Sequence, residues 1–479
     1  MNKILDKRRA GVLLHPSSLP SGGFGADASR FLDFIHDAGL RVWQMLPLGP
    51  THKDRSPYHC LSVHAINPEL LCLDWLIEKG WLTPADGRSR HDAIQQAAKA
   101  FFAQANSSDR AAFDEMCHAR AHWLDDYALY RALRDEHHGR PWWDWPPPLR
   151  DRDVAALHEA RARLSARVDT VRFEQFVADA QWRQLRDAAR ERGVMLLGDM
   201  PIFVAHDSAD VWAHRSCFKL DEAGQPRVIA GVPPDYFSAT GQCWGNPLYD
   251  WDAMQAQGFE WWIRRLETEF SRFDVVRIDH FRGFEASWEI PAGEKTAVNG
   301  KWVKVPGDVL FDALLAHFGH LPLVAEDLGL ITPEVHRLRE KYALPGMAVL
   351  QFAFDGGADN PYLPHNIKTD TVAYTGTHDN DTTVSWFEEL DAEKQSYVID
   401  YLGHPHEPMP WPLIRTALRS VACLAILPMQ DLQSLGRGHR MNTPGTANDR
   451  NWTWKFAWSD MPPDLASRLH RLVNLYGRG

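Results

Sequence analysis

Eight short apolar runs punctuate this chain, at residues 11–15, 42–47, 194–199, 275–279, 323–327, 348–352, 372–375 and 424–428. A run of five or six apolar residues without alternation is the pattern of a strand buried on both faces, and such strands occur where helices cover a parallel sheet. Between most of them lie segments with the period of an amphipathic helix, readable at 28–38, 173–192, 259–270, 309–317 and 334–342. Eight strands alternating with helices predict an α/β fold in which a parallel sheet closes on itself as a (β/α)8 TIM barrel. The 479 residues suit one such barrel, taken as a single catalytic unit over 1–479, with insertions.

Two long interruptions break the alternation. Residues 56–172 separate the second and third runs and read as a mostly helical insertion, with a Trp/Pro-rich stretch at 140–148. Residues 203–258 separate the third and fourth runs and read as a loop-rich insertion dense in Gly, Pro and aromatics. Both leave from the carboxyl ends of strands, so both are expected to wall a cleft on the catalytic face.

Composition narrows the function. A formal net charge of −11 repels phosphate backbones and argues against a nucleic-acid partner. No apolar stretch approaches the roughly 18 residues of a membrane span, so no membrane partner is expected. The N-terminus runs from polar to basic without a signal-like apolar core, so a cytoplasmic location is the expectation. The six cysteines stand singly, none in a CxxC pair, and read as reduced structural thiols. Twenty Trp is a high count; core packing accounts for most of them, and those in Gly/Pro/Asn-rich segments suit stacking against sugar rings. Trp244 is the main candidate, because 240–247 shows neither helical nor strand period and its glycines and proline mark a shaped loop.

The chemistry is carried by acidic strand ends. Three runs end in or contain Asp199, Asp279 and Glu326, and Asp379 follows shortly after the seventh. Cleaving a glycosidic bond with retention takes a carboxylate nucleophile and a second carboxyl that donates and then removes a proton. Arg277 lies two residues before Asp279, on the same face of a strand, where it can hold that Asp ionised. Glu326 sits in an apolar run beside Asp327, where burial and a like charge favour its protonated form. Asp379 follows His378 in a polar turn suited to sugar hydroxyls. One such Asp is more often a cap or a loop hydrogen-bonder, but three together point to a barrel hydrolase or transferase and leave the substrate open.

The motifs themselves resemble those of a family. Val-Val-Arg-Ile-Asp-His-Phe-Arg-Gly at 275–283, Ala-Glu-Asp-Leu-Gly at 325–329 and Tyr-Thr-Gly-Thr-His-Asp-Asn-Asp-Thr at 374–382 are similar to the three carboxylate motifs of the amylomaltases, also called 4-α-glucanotransferases or disproportionating enzymes. Gly-Asp-Met-Pro-Ile-Phe-Val at 198–204, Ser-Pro-Tyr at 56–58, Gly-Val-Pro-Pro-Asp-Tyr-Phe at 231–237 and Gly-Gln-Cys-Trp-Gly-Asn-Pro at 241–247 extend the likeness, in order, from about Arg9 to Tyr476. The resemblance implies that Asp279 is the nucleophile, Glu326 the general acid/base and Asp379 the transition-state stabiliser. It implies that Asp199, Arg277, His280 and His378 surround the same sugar ring. It implies that Tyr58, Asp235, Gln242, Trp244, Asn246, Asp327, Asp355 and Asn442 meet neighbouring glucose units. It further implies α-1,4-glucans and maltooligosaccharides as donor and acceptor, no cofactor, no metal, and a short bacterial form with no β-sandwich after the barrel. An α-amylase-like hydrolase, with water as acceptor, is the nearest alternative, and a silent glucan-binding protein the more distant one. The chain departs from the family at 51–55, where Thr-His-Lys-Asp-Arg replaces a Tyr/Gly-rich loop, at Cys243, and in the residues before the Arg-Met-Asn of 440–442.

Overall fold

The computed structural model describes residues 7–85, 87–234 and 238–479. At its centre stand eight strands: Arg9–Leu13, Val42–Gln44, Met195–Pro201, Val275–Asp279, Leu323–Ala325, Gly346–Val349, Thr371–Tyr374 and Leu424–Pro428. Each overlaps one of the eight apolar runs, though the sixth, Gly346–Val349, shares only two residues with the run at 348–352. Their lateral order is sixth, seventh, eighth, first, second, third, fourth, fifth, and every pairing is parallel. The expected barrel is therefore present.

The fifth and sixth strands, at the two ends of that order, are joined by two hydrogen bonds. Ala325 N donates to Pro345 O at 2.8 Å, and Met347 N donates to Asp327 Oδ1 at 2.8 Å. A side chain thus completes the seam of the cylinder. The wall is close-packed. A Cβ on Gly198 would stand 2.4 Å from the ring of Phe273, so only glycine lets that ring lie flat on the third strand. All five residues of the eighth strand are buried, as a strand covered on both faces demands.

The helices expected from periodicity are Ala26–Asp37, Ser165–Glu191, Glu260–Arg272, Gly307–Phe318 and Pro333–Lys341. The second starts eight residues earlier than its pattern suggested. Val168 and Val171 continue its buried stripe back into the insertion, so one long rod belongs to both barrel and insertion. Residues 56–172 otherwise hold helices such as Arg90–Gln104 and the 30-residue Ser107–Glu136.

The segment 203–258 contains more regular structure than its composition suggested. Val228–Val232 and Gln242–Pro247 are strands, and they join Ala286–Pro291 and Lys301–Lys304 in a four-stranded antiparallel sheet. Its order places Gln242–Pro247 at one edge, beside Val228–Val232, then Ala286–Pro291, then Lys301–Lys304. Trp244 therefore lies on an edge strand, which corrects its reading as a loop residue. The local sequence hides this because its partner strand Val228–Val232 is anchored by Ala286–Pro291, far along the chain, and because the pairing bends at an irregularity between Ile229 and Gly231. Two of its strands follow the carboxyl end of the third barrel strand and two that of the fourth, so it sits over the carboxyl end of the barrel.

Candidate active site

The register of the barrel gathers the carboxyl groups. Asp199 on the third strand pairs with Arg277 on the fourth, and Pro201 with Asp279. Neighbours in register point their side chains the same way, which brings the Arg277 guanidinium against both acids. Its Nη1 lies 2.7 Å from both oxygens of Asp199, and its Nη2 lies 3.1 Å from Asp279 Oδ1. Arg277 and Asp199 are buried, whereas the Asp279 side chain keeps 32% of its surface exposed toward the mouth. Burial alone would depress Arg277, but the charges of Asp199 and Asp279 override it and hold the guanidinium well above its ordinary value.

Ile278 pairs with Ala325, so Asp279 and Glu326 each stand one residue past the last rung between adjacent strands, about 4.8 Å apart at the backbone. Glu326 Oε2 accepts the His280 N–H at 2.6 Å. Burial pushes the Glu326 carboxyl up to about 8; Arg277 and the His280 N–H pull against that, and the negative charge of Asp279 adds to it. Glu326 therefore carries a proton at neutral pH beside the Arg-held Asp279.

His280 turns the chain out of the fourth strand in the left-handed region, with φ 53°. Its Nε2 is buried without a hydrogen-bond partner, and burial holds the ring down to about 4, so it is neutral at working pH. Trp244 meets that ring edge-on at 4.9 Å, with 37% of its own surface exposed. Its indole N–H donates to Gln242 Oε1 at 3.1 Å, and Asn246 Nδ2 donates to Val204 O at 2.8 Å, stitching the edge strand to the barrel mouth. Tyr58 enters from the helical insertion. Its hydroxyl donates to Asp199 Oδ2 at 2.8 Å and its ring stacks on His378, 5.2 Å between centroids.

Asp379 arrives on the turn after the seventh strand. Asn380 Oδ1 accepts both the Thr377 N–H at 2.9 Å and the Thr377 hydroxyl at 2.8 Å, which shapes that turn. The Asp379 carboxylate faces Asn442 Nδ2 at 2.6 Å and His378 Nε2 at 3.5 Å.

The structure thus brings together Asp279, Glu326, Asp379, Asp199, Arg277, His280, His378, Tyr58, Gln242, Trp244, Asn246 and Asn442. One expected sugar contact, Asp327, is placed elsewhere. Asp327 is buried in the barrel seam, taking Met347 N and pairing with Arg339 Nε at 3.2 Å. Successive residues at a strand end point opposite ways, so Asp327 turns to the helices where Glu326 turns to the cleft. Asp355 is exposed and pairs with Lys394 at 2.7 Å. Asp235 lies outside the described residues. Sequence reasoning gave no role to three groups at the mouth. His15, at the end of the first apolar run, is buried beside His378 and held down to about 3 by burial. Trp452 lies 5.8 Å from the Tyr58 ring and 5.9 Å from His378. Arg440 hydrogen-bonds to the backbone of Asp379. His15 could have been read from its place at a strand end; the other two come from irregular chain without period.

A parallel eight-stranded barrel whose carboxyl ends gather an Arg-held Asp, a buried Glu and a third Asp has the form of the glycoside-processing barrels. The comparisons narrow this. The family profile described as 4-alpha-glucanotransferase matches residues 14–460. A 4-alpha-glucanotransferase of Thermus thermophilus is 47% identical over 97% of this chain and 98% of its own length. One from Synechocystis sp. is 48% identical over 99% of each. Among solved structures, the amylomaltase from Streptococcus agalactiae in complex with acarbose superposes with a TM-score of 0.95 at 34% identity, covering 99% of this chain and 100% of that one. The chain belongs to the 4-alpha-glucanotransferase family. Among the described residues, no helix is long and apolar enough to cross a membrane.

Proposed function

We propose that the protein moves α-1,4-glucan segments between maltooligosaccharides by a double displacement with retention. Asp279 attacks the anomeric carbon while Glu326 gives its proton to the leaving oxygen, which leaves a glycosyl ester on Asp279. The 4-hydroxyl of a second glucan then attacks the anomeric carbon of that ester, breaking its bond to the Asp279 oxygen. Glu326 takes the hydroxyl proton, and Asp279 is released as carboxylate. Asp379 faces the ring from the turn beyond the seventh strand and opposes the positive charge that develops there. Asp199, His378 and Tyr58 line the same ring, and the unpartnered Nε2 of His280 meets a sugar hydroxyl. Gln242, Trp244, Asn246 and Asn442 line the approach on either side.

The observation that carries this reading is the pairing of a carboxyl held protonated at neutral pH with an Arg-bound carboxylate one strand away. A protein that only binds glucan gains nothing from that pair. Transfer over hydrolysis requires a bound acceptor to outcompete water, which orientation and exclusion by the Trp244 strand and the segment around Asn442 supply. Incubation with maltotriose tests the proposal. Glucose and a ladder of longer maltodextrins are expected; glucose and maltose alone, with reducing ends rising steadily, would identify a hydrolase. We further propose a cytoplasmic location, which fractionation with a cytosolic marker tests.

A further inference from the structure

Asp379 differs from the other two carboxyl groups in what holds it. Asp279 is gripped by Arg277 from its own strand, and Glu326 by the backbone of the neighbouring one. Asp379 comes five residues after the end of the seventh strand, and its side chain is 46% exposed. The shorter of its two carboxylate contacts, Asn442 Nδ2 at 2.6 Å, comes from the irregular segment that follows the eighth strand.

Asn442 is itself held by Arg440. The Arg440 Nε donates to Asn442 O at 2.5 Å, and its Nη2 donates to Asp379 O at 2.5 Å. One planar guanidinium therefore bridges the backbone carbonyls of the two residues whose side chains meet, and Asn442 N closes the ring onto His378 O at 3.1 Å. Arg440 forms no ion pair with a carboxylate among the described residues, so both bonds serve placement. The segment is tied down further along as well. Trp452 N donates to Met441 O at 2.8 Å, and Thr443 N to Asn451 Oδ1 at 3.2 Å.

We infer that Arg440 is a positioning residue for the reaction: it sets Asp379 and Asn442 in register, so that the stabilising carboxylate is aimed by a segment outside the barrel. Arg440 touches no reacting atom and acts through Asp379. The inference rests on the role assigned to Asp379 above. Aim affects the transition state more than the bound substrate, so Arg440→Ala should cost about 10–100-fold in kcat with KM changed less than about threefold. Lysine reaches one carbonyl but cannot fork to two, so Arg440→Lys should fall between Ala and the parent.

The decisive measurement is a double-mutant cycle, read with an α-glucosyl fluoride donor and a fixed maltose acceptor. In an Asp379→Asn background, Arg440→Ala should add less than about twofold, because there is nothing left to aim. In a Trp244→Ala background it should multiply in full. Full multiplication in both backgrounds, or full activity in Arg440→Ala, would overturn the positioning role. A fully active Asp379→Asn would instead overturn the role of Asp379. Should Arg440→Ala unfold, Arg440→Lys carries the same cycle, judged against thermal melts of every variant.

Discussion

The backbone N–H of His280 donates to Glu326 Oε2 at 2.6 Å, so the residue that follows the nucleophile also fixes the proton donor. The two reacting groups are not placed independently. The turn that makes this possible puts His280 at φ 53°, a conformation that a residue with a Cβ adopts only at some cost and that the surrounding barrel enforces.

Activity should depend on pH through Glu326. Its carboxyl titrates at about 8, so transfer from maltotriose is expected to fall as pH rises past that value, while the donor proton is lost. Because the negative charge of Asp279 contributes to that elevation, Asp279→Asn should lower the Glu326 titration, measurable by infrared or NMR of the labelled carboxyl. An unchanged titration in that variant would contradict the electrostatic account.

Stability should carry the opposite signature to that of a salt-bridged acid. Glu326 at about 8, Glu269 at about 7 and Asp210 at about 6 are all raised by burial, so the folded protein holds protons the unfolded chain has released. Their contribution is full below the ordinary carboxyl range and is lost as pH rises through the folded values. The melting temperature should therefore decline between pH 5 and pH 8.5, and Glu326→Gln should decline less over the same window. Parallel curves for the two proteins would show that Glu326 takes no part.

Asp279→Asn, Glu326→Gln and Asp379→Asn should each remove activity by about 10³-fold or more without unfolding the chain. Glu326→Gln should still accumulate a glycosyl-enzyme from a fluoride donor, since that leaving group needs no proton. Trapping in Asp279→Asn but not in Glu326→Gln, followed by mass spectrometry, would mean the two roles are exchanged.

Asp327 offers a contrast within one dipeptide. Removing its carboxylate unlatches Met347 N and takes one partner from the buried Arg339, which keeps Asp370 and Leu344 O, so Asp327→Ala should cost about 1–3 kcal/mol of stability. The KM for maltotriose should hardly move in the molecules that remain folded. A raised KM with an unchanged melt would return Asp327 to the sugar-binding surface.

Trp244→Ala should do the reverse. The side chain is 37% exposed on an edge strand, so the melt should shift by little, while bound glucan loses roughly 1–3 kcal/mol of apolar contact. Hydrolysis should gain on transfer, because water needs no platform. A drop of several degrees with an unchanged product ratio would retire the stacking role.

The barrel was legible because its strands are buried on both faces, and an uninterrupted apolar run such as 424–428 has few other readings. The carboxyl ends were legible for the same reason: Asp279 and Glu326 follow directly from where such runs stop. The four-stranded sheet was not. Lys301–Lys304 has only four residues, and the two hairpins are joined into one sheet by the pairing of Val228–Val232 with Ala286–Pro291, partners distant in sequence. Asp327 was read with Glu326 as one acidic motif, although alternation along a strand separates their directions. Arg440 and Trp452 lie in chain with no period, where only the assembled contacts reveal an assignment.

That small sheet has one more consequence. Ala286–Pro291 follows Asp279 by a single short turn, and it is linked through Val228–Val232 to the strand that bears Trp244. The gap between the indole and the nucleophile is thus measured out in ladder rungs, as on a ruler made of main chain. Exchanging one side chain for another cannot re-mark such a ruler. Adding or deleting residues in the connections along it can, so differences in the length of glucan carried should track the length of the link at 280–285, between Asp279 and Ala286, more closely than the identity of any residue in the cleft.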